Sequence, residues 1–177
     1  MGHKHERGDI LAGALATALD GGLAQLSYGR VAKRLGISDR IVVYYFPTKA
    51  DLATEVLNEV GLQLQVALAP AFAERATDHV ALVRAAWPVV ATEEADPTFA
   101  LFFEASGLAL AGREPYRELV PALVEGWITW AAEFIEGRPE RRRAEATAAV
   151  AVLDGLLLLR QLGGAAQAAA AARRILG

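Results

Sequence analysis

The 177-residue sequence contains no cysteine and only three histidines, His3, His5 and His79. The first absence excludes disulfides, thiolate metal sites and cysteine nucleophiles. The second leaves no histidine cluster at metal-ligand spacing and no Ser–His arrangement, and no Gly-rich phosphate loop is present either. An enzyme is therefore not expected, and neither a metal nor a cofactor. His3 and His5 sit in a short polar arm, which is read as an unstructured tail rather than a metal-binding pair. Long uncharged apolar runs are also missing. Glu104, Asp154 and Arg160 interrupt the best candidates before about 18 residues are reached. Residues 10–19 are apolar, but Glu6 and Asp9 spoil the basic start of a signal peptide. Gly2 is followed by Glu6 where myristoylation wants Ser or Thr. These features predict a cytoplasmic protein.

What is present is unevenly spread. The formal net charge is −3. Residues 1–50 carry seven Lys/Arg against four Asp/Glu, a net of +3, while residues 51–177 carry eleven against seventeen, a net of −6. All three lysines (Lys4, Lys33 and Lys49) lie in the first part. Such a division marks a nucleic-acid module joined to an acidic body.

Ala and Leu are abundant, strand alternation is nearly absent, and apolar spacing is helical throughout. The sequence predicts an all-α fold of about nine or ten helices. The first carries a stripe from Ile10 to Leu19 and ends at Gly21–Gly22. Others span about 27–34, follow Ser38, and run from Thr48 into the sixties. Asp78 caps a helix that Pro88 should kink or end. Asp96–Pro97, Pro115 and Pro139 open three more, Gly112, Gly137 and Gly163–Gly164 are stops, and 165–176 forms the last. The predicted domains are 1–48 and 49–177.

Residues 27–49, SYGRVAKRLGISDRIVVYYFPTK, hold the functional motif. Ser27 can cap one short helix and Ser38 the next. Gly36 supplies the left-handed turn between them, and Pro47 ends the second. Two helices joined this way form a helix-turn-helix, whose second helix is sized for the major groove. Five basic residues (Arg30, Lys33, Arg34, Arg40, Lys49) face one acid, Asp39. Arg40, Tyr44 and Tyr45 sit near the second helix's exposed side. Arg pairs bidentately with guanine, and Tyr hydroxyls bond phosphate oxygens. Thr48 and Lys49 open a helix whose N-terminus suits a phosphate.

The stretch AKRLGIS……YYFPTKADL resembles the DNA-binding module of the TetR family of bacterial repressors, over roughly residues 9–60. The resemblance implies a homodimer that binds a palindromic double-stranded DNA operator and is released by a small-molecule effector. On the family pattern Ser27, Tyr28, Ser38, Arg40, Ile41, Tyr44, Tyr45 and Lys49 fall at DNA-contact positions. Val43 stands where the family usually has tyrosine, and Arg40 where a small residue is common. A helical ligand-binding dimer with a degenerate helix-turn-helix, and a transcriptional activator, are the alternatives.

In the body, the helix after Pro115 has two apolar faces. Leu119, Leu123, Trp127, Trp130 and Phe134 form one, and Val120, Val124, Ile128, Ala131 and Ile135 the other. The helix after Pro139 is apolar almost all round over 146–159. A helix apolar on two sides is buried on two sides, which predicts a four-helix interface between two copies. Its residues are Leu123, Trp127, Trp130, Phe134, Ala148, Val152, Gly155, Leu156 and Leu159; a central core helix within one monomer is the alternative. Trp87, Phe99, Phe102, Phe103 and Glu104 are the candidate ligand pocket, with Thr92, Ser106 and His79 as further polar anchors. Asp154 is either an isolated buried acid or, at heptad spacing with Thr147 and Gln161, part of a thin solvated stripe.

Overall fold

A computed structural model describes residues 6–177. The lysine and histidines at positions 3–5 lie outside the described residues. Nine α-helices and two 3-10 turns account for the fold, with no strand among the described residues. The helices are α1 (Arg7–Gly21), α2 (Tyr28–Leu35), α3 (Asp39–Tyr45), α4 (Lys49–Leu68), α5 (His79–Val90), α6 (Asp96–Leu110), α7 (Tyr116–Ala132), α8 (Pro139–Gly163) and α9 (Ala165–Leu176). The chain forms two compact units, one of residues up to 62 with 100–120, the other of 63–99 with 121–177. The boundary predicted at 48/49 marks the start of α4, and the units divide further along that helix.

The first unit is built on α1. Its buried stripe of Ile10, Ala14, Leu15 and Ala18 packs with Val31 and Ala32 of α2 and Val42 of α3. Gly13 permits the closest approach, since a Cβ there would stand 2.7 Å from the Leu35 side chain. Gly36 adopts φ +67 and returns its amide to α2, the left-handed turn that two abutting helices require. Ser38 caps α3 by accepting the Arg40 amide at 3.3 Å. Ser27 occupies the N-cap of α2 but makes no side-chain cap bond, so that expected contact is replaced by backbone geometry alone. Thr48 and Asp51 exchange side-chain-to-amide bonds at 3.0 Å each, a capping box that starts α4 at Lys49.

The second unit packs α5, α8 and α9 together. Its core includes Phe72, Leu82, Val83, Ala86, Val90, Ala149, Leu156, Leu157 and Ala172. Asp78 caps α5 through the Ala81 amide at 2.9 Å. Pro88 does not end α5, which runs through it to Val90, and Pro121 lies inside α7. α7 stops at Ala132, and Phe134, Ile135 and Glu136 form a short bridge with Ala76 instead. Val120, Ile128, Ala131 and Ile135 are buried, so the second apolar face of the α7 region is core.

Asp96 was expected as an N-cap, but its carboxylate is drawn to the far end of α8. Arg160 donates to it from Nε at 2.6 Å and from the guanidinium end at 2.8 Å, and Gln161 donates to the Asp96 carbonyl at 3.1 Å. The Arg160 side chain is only 8% exposed. Removing one partner of a hydrogen-bonded, poorly hydrated pair strands the other. Arg160→Ala should therefore lower unfolding stability by about 2 kcal/mol, read from urea denaturation, while an exposed control such as Arg117→Ala stays within about 0.5 kcal/mol.

Candidate nucleic-acid interface

The helix-turn-helix presents α3 outward. Arg40 is exposed, Val43 is 39% and Tyr44 79% exposed, and Ile41 is half-buried. Tyr45 is half-buried with its ring edge-on to Tyr44 at 5.1 Å. Underneath, Val42 and Phe46 are almost fully buried. The period of a short helix thus separates a buried anchor from an exposed reading face. Lys49 is exposed at the first position of α4. Ser38 is exposed while holding its cap. Tyr28 differs from its expected role: its hydroxyl is buried and makes no hydrogen bond among the described residues. Burial, then the charge of Asp51, raises its pKa.

Behind α3, Arg7 braces the module. Its guanidinium pairs with Glu55 at 2.9 Å and lies 5.0 Å from the centre of the Phe46 ring. Arg30, Lys33 and Arg34 of α2 border an open groove of about 760 Å³ with Thr17, Asp20 and Gln25. Arg34 pairs with Asp20 across it.

Glu104 is not a free ligand anchor. Its carboxylate accepts the Leu23 amide at 2.7 Å and the Ala24 amide at 3.1 Å, capping the 3-10 turn Leu23–Gln25 that leads into α2. Gly22 has φ +79, and a Cβ there would stand 2.6 Å from a Glu104 oxygen. The residue is required by backbone conformation and close approach together. Glu104 and burial, with burial the larger cause, raise the Tyr116 pKa. No local pattern announces this cap, because its partners are about 80 residues apart in the chain.

The other expected pocket residues divide between the two units. Trp87 and Phe99 belong to the second unit, whereas Phe102 and Phe103 belong to the first, their rings 5.6 Å apart. Thr92 accepts the Ala95 amide at 3.2 Å and Ser106 donates to the Phe102 carbonyl at 2.8 Å. His79 is held by Glu145, which accepts its amide at 2.9 Å and contacts its ring Nδ1 at 2.7 Å.

A small cavity of about 40 Å³ lies in the second unit, lined entirely by apolar residues that include Leu68, Phe72, Ala86, Trp127, Trp130 and Leu153. Phe72 stacks near Trp130 at 5.7 Å and Phe134 at 5.0 Å. Trp127 and Trp130, expected at a subunit interface, are thus walls of this cavity, and Phe134 packs behind them. Phe72 was missed because its segment shows no helical stripe.

Of the remaining expected interface residues, Leu123, Ala148, Val152 and Leu159 are half-buried and Gly155 is exposed. Leu156 is buried in the second unit's own core, so it points away from that face. On the outward side of α8, Thr147, Ala151, Gly155, Leu158 and Leu162 form an exposed stripe, Leu162 81% exposed. α8 is long and apolar enough to cross a membrane by length and composition, yet only 22% of its most apolar stretch is buried. Asp154 is half-buried beside this stripe, and burial alone raises its pKa to about 6. Thr147 is exposed and Gln161 is tied to Asp96, so the three do not share one solvated stripe.

The fold is a helix-turn-helix followed by a larger helical body. Residues 10–56 match the family model described as bacterial regulatory proteins, tetR family. The fold is similar to a transcriptional regulator from Rhodococcus sp. Rha1, at 22% identity and a TM-score of 0.72 over 97% of this chain and 96% of that one. It is also similar to a TetR transcriptional regulator from Legionella pneumophila, at 18% and 0.70 over 99% and 96%. A TetR-family transcriptional regulator from Agrobacterium tumefaciens matches at 21% and 0.67 over 96% and 95%. No curated protein sequence matches. The matched residues run from α1 into α4, and the likeness to the solved structures extends the shared fold over the rest of the chain.

Two outcomes test this geometry. Glu104→Ala strands two amides and should cost about 2 kcal/mol, with faster hydrogen exchange at Leu23 and Ala24; Glu104→Gln should recover part of both. For Asp154, burial holds the folded pKa at about 6, above its ordinary value of 3.8. The folded state therefore binds the proton more tightly, and stability falls as pH rises from about 4 through 6. Asp154→Asn should then stabilise the protein by about 1–2 kcal/mol at pH 7.5, after allowance for solvent screening, and by nearly nothing at pH 4. Thermal melts at the two pH values measure the difference.

Proposed function

We propose that the protein is a ligand-responsive repressor that binds a palindromic operator as a homodimer and leaves it when a small, apolar or aromatic effector binds. The observation that carries this reading is the exposed face of α3, with Arg40, Val43 and Tyr44 standing outward from a buried Val42–Phe46 anchor. Arg40 reads a base, and Ser38, Tyr44, Tyr45 and Lys49 hold phosphates. Val43 has no hydroxyl to offer, which shifts more of the recognition onto Arg40. The protein works in the cytoplasm, on double-stranded DNA.

The outward stripe of α8 supports the homodimer. Small residues at Ala148, Ala151 and Gly155 let a like helix approach closely, and Leu158 and Leu162 supply apolar area that the second unit leaves uncovered. The cavity beside Trp127 and Trp130 is the effector site in this account. An apolar concavity is where such a ligand gains most from leaving water.

Two helices convey the change. α4 and α6 each begin in one unit and continue in the other. α6 is clamped at Asp96 by Arg160 and at Glu104 by the Leu23 and Ala24 amides. A ligand that favours one packing of the body biases these helices and so the separation of the two α3 helices. Half-sites about one turn of DNA apart tolerate little misfit. Whether bound operator silences or activates a gene depends on where the operator lies.

In vitro selection from a random duplex pool should return an inverted repeat. Arg40→Ala should then lose about 1–3 kcal/mol on that sequence and much less on random duplex. Equal losses on both would make Arg40 a phosphate contact. A pool that shows no enrichment would point instead to a ligand-binding dimer with a degenerate helix-turn-helix.

A further inference from the structure

The connection between α1 and α2 has no cap of its own. Gly22 makes no side-chain bond at the start of the 3-10 turn Leu23–Gln25, and Ser27 makes none at the start of α2. The carbonyls of Ala18, Gly22 and Leu23 take the amides of Gly22, Gln25 and Leu26. The amides of Leu23 and Ala24 both go to Glu104, one to each carboxylate oxygen. Among the described residues no cation pairs with Glu104, so these two amides answer its charge. The carboxylate is also held from behind. Leu101 and Ala105 are buried on one face of α6, and Glu104 stands half-buried beside them. Residues 100–120 belong to the same compact unit as the helix-turn-helix.

The consequence reaches α3. Val31 donates to the Ser27 carbonyl at 3.0 Å, so α2 starts where this connection ends. Ile37 then donates to the Ala32 carbonyl at 3.0 Å through the left-handed turn at Gly36. The two helices share a short, backbone-bonded turn, and a rotation of α2 carries α3 with its exposed Arg40 and Tyr44. A reading helix discriminates only where its side chains meet base edges in the correct geometry, so its aim matters for a specific site. Affinity for random duplex comes from charge and tolerates a shifted aim.

We propose that Glu104 is a positioning residue for sequence recognition: from α6, without touching DNA, it fixes the entry of α2 and so the aim of α3. This rests on the reading of the protein as an operator-binding regulator and adds a determinant of specificity outside the helix-turn-helix.

The test compares the full-length wild type, Glu104→Ala and Glu104→Gln on the selected operator and on random duplex of equal length. Glu118→Gln removes an exposed carboxylate away from the turn and controls for net charge. Glu104→Ala should lower operator affinity by about fivefold or more, while affinity for random duplex changes by less than about twofold. Glutamine keeps one acceptor oxygen, so Glu104→Gln should fall between wild type and alanine, and Glu118→Gln should match the wild type. A purely structural role would lower both affinities together. Equal losses on both duplexes, an unchanged operator affinity in Glu104→Ala, or the same loss in Glu118→Gln overturns the proposal. Amide exchange in the free protein needs no operator. Glu104→Ala should speed exchange at Val31, Ile37 and Ile41 as well as at Leu23 and Ala24, while Leu15 in α1 stays level. Acceleration confined to Leu23 and Ala24, or spread equally to Leu15, also overturns it. If selection returns no operator, the regulator reading fails, and the exchange pattern alone upholds or overturns the hold of Glu104 on α2 and α3.

Discussion

The two hydrogen bonds from Leu23 and Ala24 to the Glu104 carboxylate are the constraint on which the helix-turn-helix geometry depends. A 3-10 turn leaves its first amides without partners, and here no neighbouring side chain caps them. The carboxylate arrives from α6, and Gly22 keeps the path open for it. Because the turn leads directly into α2, and α2 sets α3 through the Gly36 turn, the aim of α3 is referred to a side chain far along the chain. A charge-assisted pair of bonds is short and directional. Small displacements of α6 are therefore felt at residues 23–24 rather than absorbed.

Local physics made the first module legible. Gly36 and Ser38 act over one or two residues, so the turn and the cap of α3 follow from their identities. The same holds for Asp78 at α5 and Pro139 at α8. Where a residue had two possible partners, the distant one won. Asp96 has the signature of a helix cap, yet Arg160 draws its carboxylate away. Ser27 occupies a cap position without using its hydroxyl. The helical interruptions expected of proline depend on what surrounds the missing donor, and α5 and α7 pass through theirs.

The body was legible in outline and not in detail. Apolar periodicity shows that α7 and α8 have two apolar faces, but not which face meets core, cavity or solvent. Trp127 and Trp130 share a stripe with Leu123, and the structure turns them onto Phe72, which lies in a segment with no pattern of its own. Glu104 sits within an aromatic cluster in the sequence and is spatially a cap. Pockets and long-range caps are properties of pairs of elements, so a single stretch of sequence carries no trace of them.

The uncovered stripe of α8 has a consequence for how the protein behaves at low abundance. Leu158 and Leu162 in water are a standing cost that a second copy would relieve. With that face covered, folding and pairing become one equilibrium governed by concentration. Dilution would then loosen each copy as well as separate the pair, so the fold of one copy would be tied to how tightly two hold together.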